Sequence, residues 1–231
     1  MKQAKKKAKP SAPVSVDEAA SKGEATRQKI IAAARRVFTR HPYHAASIRM
    51  IGEAGGFDYS IIHHYFTKAE LFRAVARQLY EELITAYQEW IDGVERLTPT
   101  EGLKIYLDRS LDYLFEHPDV MEVLNQNTGH MKIDPDLPGL DFFTRYFREI
   151  EAVFIQRIRV LTLQPELSMW SYSMMTLHTA FVGSAAYHAR ALGLDPWSKK
   201  YRNWVKEALL HLFAPPLEKF IAQAIEKRRS S

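Results

Sequence analysis

Apolar side chains recur along this chain every three or four positions, the spacing of one helical face, and sustained alternation of apolar and polar residues is absent. Ile30, Ile31, Ala34, Val37 and Phe38 mark a first amphipathic helix. Ser21-Lys22-Gly23-Glu24 has capping-box spacing and predicts its start. His41-Pro42 predicts its end, because the residue before a proline avoids the α region. Two very short helices follow. Ser47 is the expected N-cap of Ile48 to Ala54, Gly55-Gly56 stops that helix, and Phe57 to Tyr65 forms the next. Thr67-Lys68-Ala69-Glu70 is a second capping box, opening a long helix through Leu71, Val75, Leu79 and Leu83 towards Trp90.

The same period continues to the C-terminus. Thr98-Pro99 starts a helix with Leu103, Leu107, Leu111, Leu114 and Phe115; His117-Pro118 breaks it, and a short helix follows to about Thr128. Gly129 to Gly139, with Pro135 and Pro138, reads as a loop. A helix from about Leu140 carries Phe143, Phe147, Ile150, Phe154 and Ile158. Pro165 opens another that should end near Gly193. Pro196 opens the next, which Pro215-Pro216 should stop, and Leu217 to about Arg228 closes the chain. The fold class expected is all-α. Three units are expected: a basic flexible arm (1–22), a three-helix head (23–67) and a larger helical body (68–231).

Charge changes this picture. Residues 1–75 hold 14 Lys and Arg against 6 Asp and Glu, whereas 76–231 hold 18 against 21, so a basic end sits on a mildly acidic body. That asymmetry points to a polyanion partner at one end, or else to a basic tail without a partner. Lys2, Lys5, Lys6, Lys7 and Lys9 precede Pro10 and Pro13 in an arm too poor in bulky apolar residues to fold alone. No apolar run follows these lysines, so they do not read as a secretory signal. With no cysteine, the chain has no disulfides, thiolate metal sites or cysteine nucleophile, and it suits a reducing cytosol. From Leu167 to Ala189 there is no charged residue, long enough to span a bilayer. Its serines, threonines and histidines make a helix buried in protein the better reading, and no membrane partner is expected.

Ser47 to Phe66 carries the clearest chemistry. A helix-turn-helix needs a small residue where the second helix crosses the first, which Gly52 supplies. It needs a turn residue tolerant of positive φ four positions on, which Gly56 supplies. Ile51, Phe57, Ile62 and Tyr65 stand where they would lock both helices onto a third. The alternative is an ordinary tight helical corner. As a helix-turn-helix, the second helix would present its N-terminal residues to the major groove of double-stranded DNA.

Thr26 to Leu79 resembles the DNA-binding domain of the tetracycline-repressor (TetR) family of bacterial regulators. The residues that carry the resemblance are Arg27-Gln28-Lys29-Ile30-Ile31-Ala32-Ala33-Ala34, Val37-Phe38, Ser47-Ile48-Arg49, Gly55-Gly56-Phe57, His64-Tyr65-Phe66 and Lys68-Ala69-Glu70-Leu71-Phe72. Glu116-His117-Pro118 at a helix break is similar as well. The resemblance implies nine to ten helices, the first three reading DNA and the rest forming a ligand-binding and dimerisation body, in a cytoplasmic bacterial protein. It implies that Ser47 meets phosphate and Arg49 phosphate or a guanine edge. Tyr59, Ser60, Ile61 and His64 would face bases, and Tyr43, His63 and Lys68 would meet phosphate. The chain departs from the family at Met50, where an acidic residue usually closes a box on Ser47, and in having one residue fewer before Thr67. Tyr59 stands where the family often has lysine, and the reading helix has no Lys or Arg at all. Readout is therefore expected to rest on aromatic and methyl contacts, histidine hydrogen bonds and DNA shape. His63 and His64 are alternatively surface or packing residues, and adjacent positions do not form a helical metal pair.

In the body, Tyr106, Phe115, Met121, Leu124, Asn125, Phe143, Phe147, Phe154, Met174, His178 and Phe181 form a mostly apolar set with two polar candidates, Asn125 and His178. Such a set suits an unidentified small-molecule effector, and equally a hydrophobic core. Thr176, Ala180 and Ser184 recur every four residues with Gly183 beside them, and Trp204, Leu209 and Leu212 belong to a broad apolar face. These are expected to build a homodimer as a four-helix bundle, unless both helices are internal. Hydrolase elbows, nucleotide loops and zinc-protease motifs are absent, and Glu101, Asp108 and Asp112 share a helical face without a nucleophile beside them. The functional expectation is a DNA-binding transcriptional regulator, a repressor released from a palindromic operator by an apolar or aromatic ligand, without cofactor, metal or enzymatic activity. The alternative is a nucleoid-type DNA binder with no ligand.

Overall fold

The computed structural model describes residues 16–128, 136–158 and 165–229. The five arm lysines and residues 129–135 of the expected loop lie outside the described residues. Among the described residues there are ten α-helices and no strand: α1 (Val16–Arg40), α2 (Ile48–Gly55), α3 (Tyr59–Tyr65), α4 (Lys68–Trp90), α5 (Pro99–Glu116), α6 (Pro118–Thr128), α7 (Leu140–Ile158), α8 (Pro165–Gly183), α9 (Ala185–Ala191) and α10 (Lys199–Arg229). One 3-10 turn, Val94–Arg96, leads into α5.

The head is built around the apolar face of α1. Ile30, Phe38, Ile51, Ile62, Leu71 and Phe72 are fully buried, so α1, α2, α3 and the first turns of α4 share one interior. Phe38 meets Phe72 edge-on, with ring centroids 4.8 Å apart. α1 begins at Val16, so Ser21-Lys22-Gly23-Glu24 lies inside the helix instead of opening it. Ala19, Ala20 and Ala25 favour continuation, and one interior glycine costs only about 1 kcal/mol against alanine.

The body is strung on α4, whose Val75, Leu79, Leu83, Ala86, Tyr87 and Trp90 are buried along its length. α5 packs between α4 and α10, α7 lies on α4, and α8 sits among α5, α6, α7 and α10. α5 opens with a capping box between Thr98 and Glu101 and with Pro99 in its first turn, where a missing N–H costs nothing. The acidic face of α5 is structural. Asp108 accepts from the Lys206 ammonium at 2.7 Å and Asp112 from the Arg202 guanidinium at 2.6 Å, fastening α5 to α10.

Three expected helix ends are displaced. The uncharged helix does not run on to Gly193: it breaks at Ser184 (φ −116°, ψ 30°), giving α8 and α9. A Gly-Ser pair is a common site of helix kinking, and the break follows Gly183. Pro196 does not open α10. The hydroxyl of Ser198 accepts from the Tyr201 N–H at 3.2 Å and caps a helix starting at Lys199. Pro215-Pro216 does not stop α10. The two missing N–H groups would have served the carbonyls of His211 and Leu212, both exposed residues that water reaches. Phe213, Ala214 and Leu217 are buried around the prolines, and the Trp170 indole donates to the Phe213 carbonyl at 3.0 Å. Tertiary packing thus holds the helix together through a pair that local rules would use to end it. Among the described residues no helix is long and apolar enough to cross a membrane.

Candidate functional site

The corner between α2 and α3 is fixed by four local devices. The Ser47 hydroxyl caps α2 by accepting from the Met50 N–H at 3.2 Å. Gly56 ends α2 at φ 70°, ψ 31°, the left-handed region that glycine enters without strain. At Gly52 a Cβ would lie 2.8 Å from the Phe57 carbonyl oxygen, so the crossing has no room for any side chain there. Asp58 caps α3, accepting from both the N–H and the hydroxyl of Ser60 at 2.8 and 2.5 Å, and these bonds hold its carboxyl below the usual range. α3 accordingly begins at Tyr59, two residues later than the sequence suggested. An Asp two residues before a Ser is a legible Asx-type signal that the reading overlooked.

With Ile62 buried, α3 turns Tyr59, Ser60, Ile61, His63 and His64 outward, all exposed. Tyr59 and His63 lie one turn apart with rings edge-on at 6.2 Å. Arg49 projects from α2 with its side chain 85% exposed, in a surface pair with Glu53 at 3.1 Å. Ser47 and Tyr43 are half-buried, and Lys68 is turned inward. The Lys68 ammonium donates to the carbonyls of Tyr43 and Ala46 at 2.9 and 3.0 Å and sits 4.4 Å from the centre of the Tyr43 ring. Partial burial lowers its pKa. Of its three N–H bonds, two are engaged in tying α4 to the turn before α2.

The head is clasped to the body by α6, a connection that no local pattern announced. Arg35 of α1 donates to Glu82 of α4 at 2.6 Å and to Asp119 of α6 at 2.5 Å. Burial alone would lower the guanidinium pKa, but these two carboxylates raise it. Gln126 donates to the Thr39 carbonyl at 2.6 Å, and buried Asn127 accepts from the Tyr43 N–H at 2.8 Å.

At the other end of α4 lies a cavity of about 180 Å³. Its walls come from the end of α4 and the turn after it, the first half of α5, the second half of α7, α8 and Leu217 and Ile221 of α10. Of the expected ligand residues, Tyr106, Phe154 and Met174 line it. The others are packed elsewhere. Phe115 lies edge-on to Trp197 and Tyr201, Phe147 against Tyr172, and Phe181 against Trp204 and His188. Leu124 and Phe143 are buried in the core. Met121 and Asn125 meet α8 at Gly183, where a Cβ would lie 1.8 Å from the Asn125 Nδ2. His178 is buried with its Nε2 3.4 Å from the Ser110 hydroxyl, and burial pushes its pKa down to about 4. Among the lining residues that the sequence reading missed are Ile91, Leu103, Ile150, Trp170, Ser171 and Met175.

The outer surface of α8 and α10 is unusually apolar. Met169, Tyr172, Trp204 and Leu212 are exposed, and Thr176 is exposed with Ala180 and Ser184 half-buried on the same stripe. Two expected interface residues point inward instead. Leu209 is fully buried in the core, and Gly183 faces Asn125. Period alone gave the apolar positions of α10 without saying which neighbour each one meets.

Among the described residues, no group of three or more His, Asp or Glu side chains is placed to hold a metal. Residues 30–75 match the family model for bacterial regulatory proteins, tetR family. The chain is 28% identical over 80 residues to the HTH-type transcriptional regulator UidR of Escherichia coli, a match covering 34% of this chain and 41% of UidR. It is 43% identical over 54 residues to the HTH-type transcriptional repressor AcnR of Corynebacterium glutamicum, covering 23% of this chain and 29% of AcnR. The matches thus span less than half the length of either relative. The fold is shared with a TetR-family regulator from Agrobacterium tumefaciens: TM-score 0.62, 20% identity, 83% of this chain and 99% of the other covered.

Proposed function

We propose that the chain is a homodimeric transcriptional repressor of the tetracycline-repressor type, released from a palindromic operator when a small molecule fills its cavity; the match of residues 30–75 to the tetR family model and the shared fold support this reading. The observation that carries the DNA-binding part is the uncovered face of α3, set by a corner that leaves no room for a side chain at Gly52. A helix so presented enters the major groove, with Arg49 and the Tyr43 turn beside the phosphates. One head reads too few bases for a unique site, so a second copy is required. The exposed apolar stripe of α8 and α10 is the surface a second copy would cover, bringing two helices from each chain together.

Coupling runs through two routes. α4 reaches from the head to the cavity wall, and α6 lies between α1 and α8, with the Arg35 clasp joining α1, α4 and α6. A ligand favouring one setting of these helices changes the separation of the two heads, which must be about 34–36 Å or a multiple to enter successive major grooves. The test begins by cross-linking the protein to DNA in cells and sequencing what co-purifies. The enriched site is then titrated by fluorescence anisotropy with and without a saturating effector. An inverted-repeat site whose affinity falls with effector supports the reading. Enrichment of unrelated sequences sinks the operator, and equal affinities in both states sink the coupling, however tightly the effector binds.

A further inference from the structure

We propose that the cavity takes a small, uncharged, mostly apolar molecule of about one ring's size, with one hydrogen-bonding oxygen gripped by Tyr106 and Ser171. This deepens the effector reading and rests on it. Size comes first: an apolar cavity of about 150 Å³ is known to hold benzene, and this one is about 180 Å³. Ile91, Leu103, Ile150, Phe154, Trp170 and Met174 supply apolar and aromatic walls.

Two polar groups interrupt those walls. Tyr106 and Ser171 are each more than nine-tenths buried and line the cavity, and neither hydroxyl makes a hydrogen bond to another described group. Both hydroxyls keep some accessible surface at the cavity, so a bound oxygen there can pair with them. Burial raises the Tyr106 pKa, so the phenol stays protonated and is able to donate as well as accept. An alcohol or a carbonyl oxygen is the chemistry that pairs with such hydroxyls.

Charge decides the rest. Among the described lining residues the only charged side chain is Glu95, which already faces Arg96 at 3.6 Å. No Lys, Arg or His is among them, and nearby His178, 6.2 Å from Tyr106 between ring centroids, is neutral above about pH 4. From these described residues a carboxylate would gain no counter-charge, and an ammonium would have to compete with Arg96 for Glu95.

The test uses four probes that share a phenyl ring and a two-carbon stem: 2-phenylethanol, ethylbenzene, 2-phenylethylamine and phenylacetate. Each is titrated into the full-length protein by calorimetry. The expectation is that 2-phenylethanol binds at least tenfold more tightly than phenylacetate or the amine. Tyr106→Phe and Ser171→Ala should each weaken 2-phenylethanol severalfold while leaving ethylbenzene unchanged, which also shows that the variants fold. Phenylacetate or the amine binding as tightly as the alcohol would overturn the proposal. So would an equal loss of ethylbenzene in the variants, or no binding by any probe. Operator anisotropy measured alongside keeps the two readings apart. A bound probe with unchanged operator affinity counts against the effector role alone, and operator binding without probe binding counts against the cavity chemistry alone.

Discussion

The two ends of α4 are both helical corners, closed in opposite ways. At the head, α2 meets α3 so tightly that Gly52 has no room for a methyl group, and each helix start is capped by a residue next to it, Ser47, Asp58 or Thr67. At the far end, the turn Val94–Arg96 carries the chain from α4 to α5 beside a space that the side chains leave open. What closes the body acts over long range: Trp90 and Tyr106 edge-on at 6.2 Å, Trp170 on the Phe213 carbonyl, Lys206 on Asp108. Reading DNA demands one fixed geometry, which short-range devices enforce. Accepting a ligand demands unfilled volume, which survives only where distant contacts hold the walls apart.

If the two ends are independent in this way, damage should stay where it is inflicted. The largest effect is expected at the apolar stripe, away from both ends. Ala180→Arg would place an unpaired charge in the proposed dimer contact at a cost of about 3–5 kcal/mol. Sedimentation velocity should then show monomers, and an undisturbed dimer removes α8 from the interface.

His178 sharpens the contrast by giving the body an acid sensitivity of its own. Its folded pKa of about 4 lies below its ordinary 6.5, so the unfolded chain takes up the proton first. Stability present above about pH 6.5 should therefore be lost as pH falls towards 4, by roughly 3 kcal/mol in all. Urea unfolding across that range should show the slope, and His178→Gln should flatten it. A variant with an unchanged slope places the acid response elsewhere.

Gly52→Ala tests the head. A Cβ 2.8 Å from a backbone oxygen forces α2 and α3 apart, costing about 1–2 kcal/mol after the gain in helix propensity. Operator affinity should drop at least tenfold while 2-phenylethanol still binds as before. A parallel loss of both would show that the ends are not independent. The smallest effect is expected at Arg49→Ala. The exposed pair with Glu53 adds little stability, so melting should not change, while operator binding weakens by about 1 kcal/mol or a little more. An anisotropy titration that shows no weakening removes Arg49 from the DNA surface.

The same division explains what the sequence disclosed. The caps at Ser47 and Thr67, the turn at Gly56 and the start at Thr98-Pro99 are each settled within four residues, and they stood in the letters. The run of α10 through Pro215-Pro216 is settled by Trp170 and by burial on either side, which no local rule reports. The clasp at Arg35 joins residues 47 and 84 positions away. Tyr106, Phe154 and Met174, expected as ligand residues, line the cavity, but Ser171 and Trp170 were not among those expected, because a void is what remains after every other side chain has been placed.

A reading helix without lysine or arginine has a consequence for kinetics. Residence on arbitrary DNA comes from counterions displaced by fixed positive charge, and α3 has none to offer. In a chain that reads through α3, the sequence-blind share of the free energy falls to its flanks, Arg49 among them, while the discriminating share comes from a phenol, a methyl-rich side chain and two imidazoles. Added salt erodes the first share much faster than the second. The ratio of operator to random binding therefore widens as ionic strength rises, and the search along the chromosome becomes one of brief stops that lengthen only where the base edges fit.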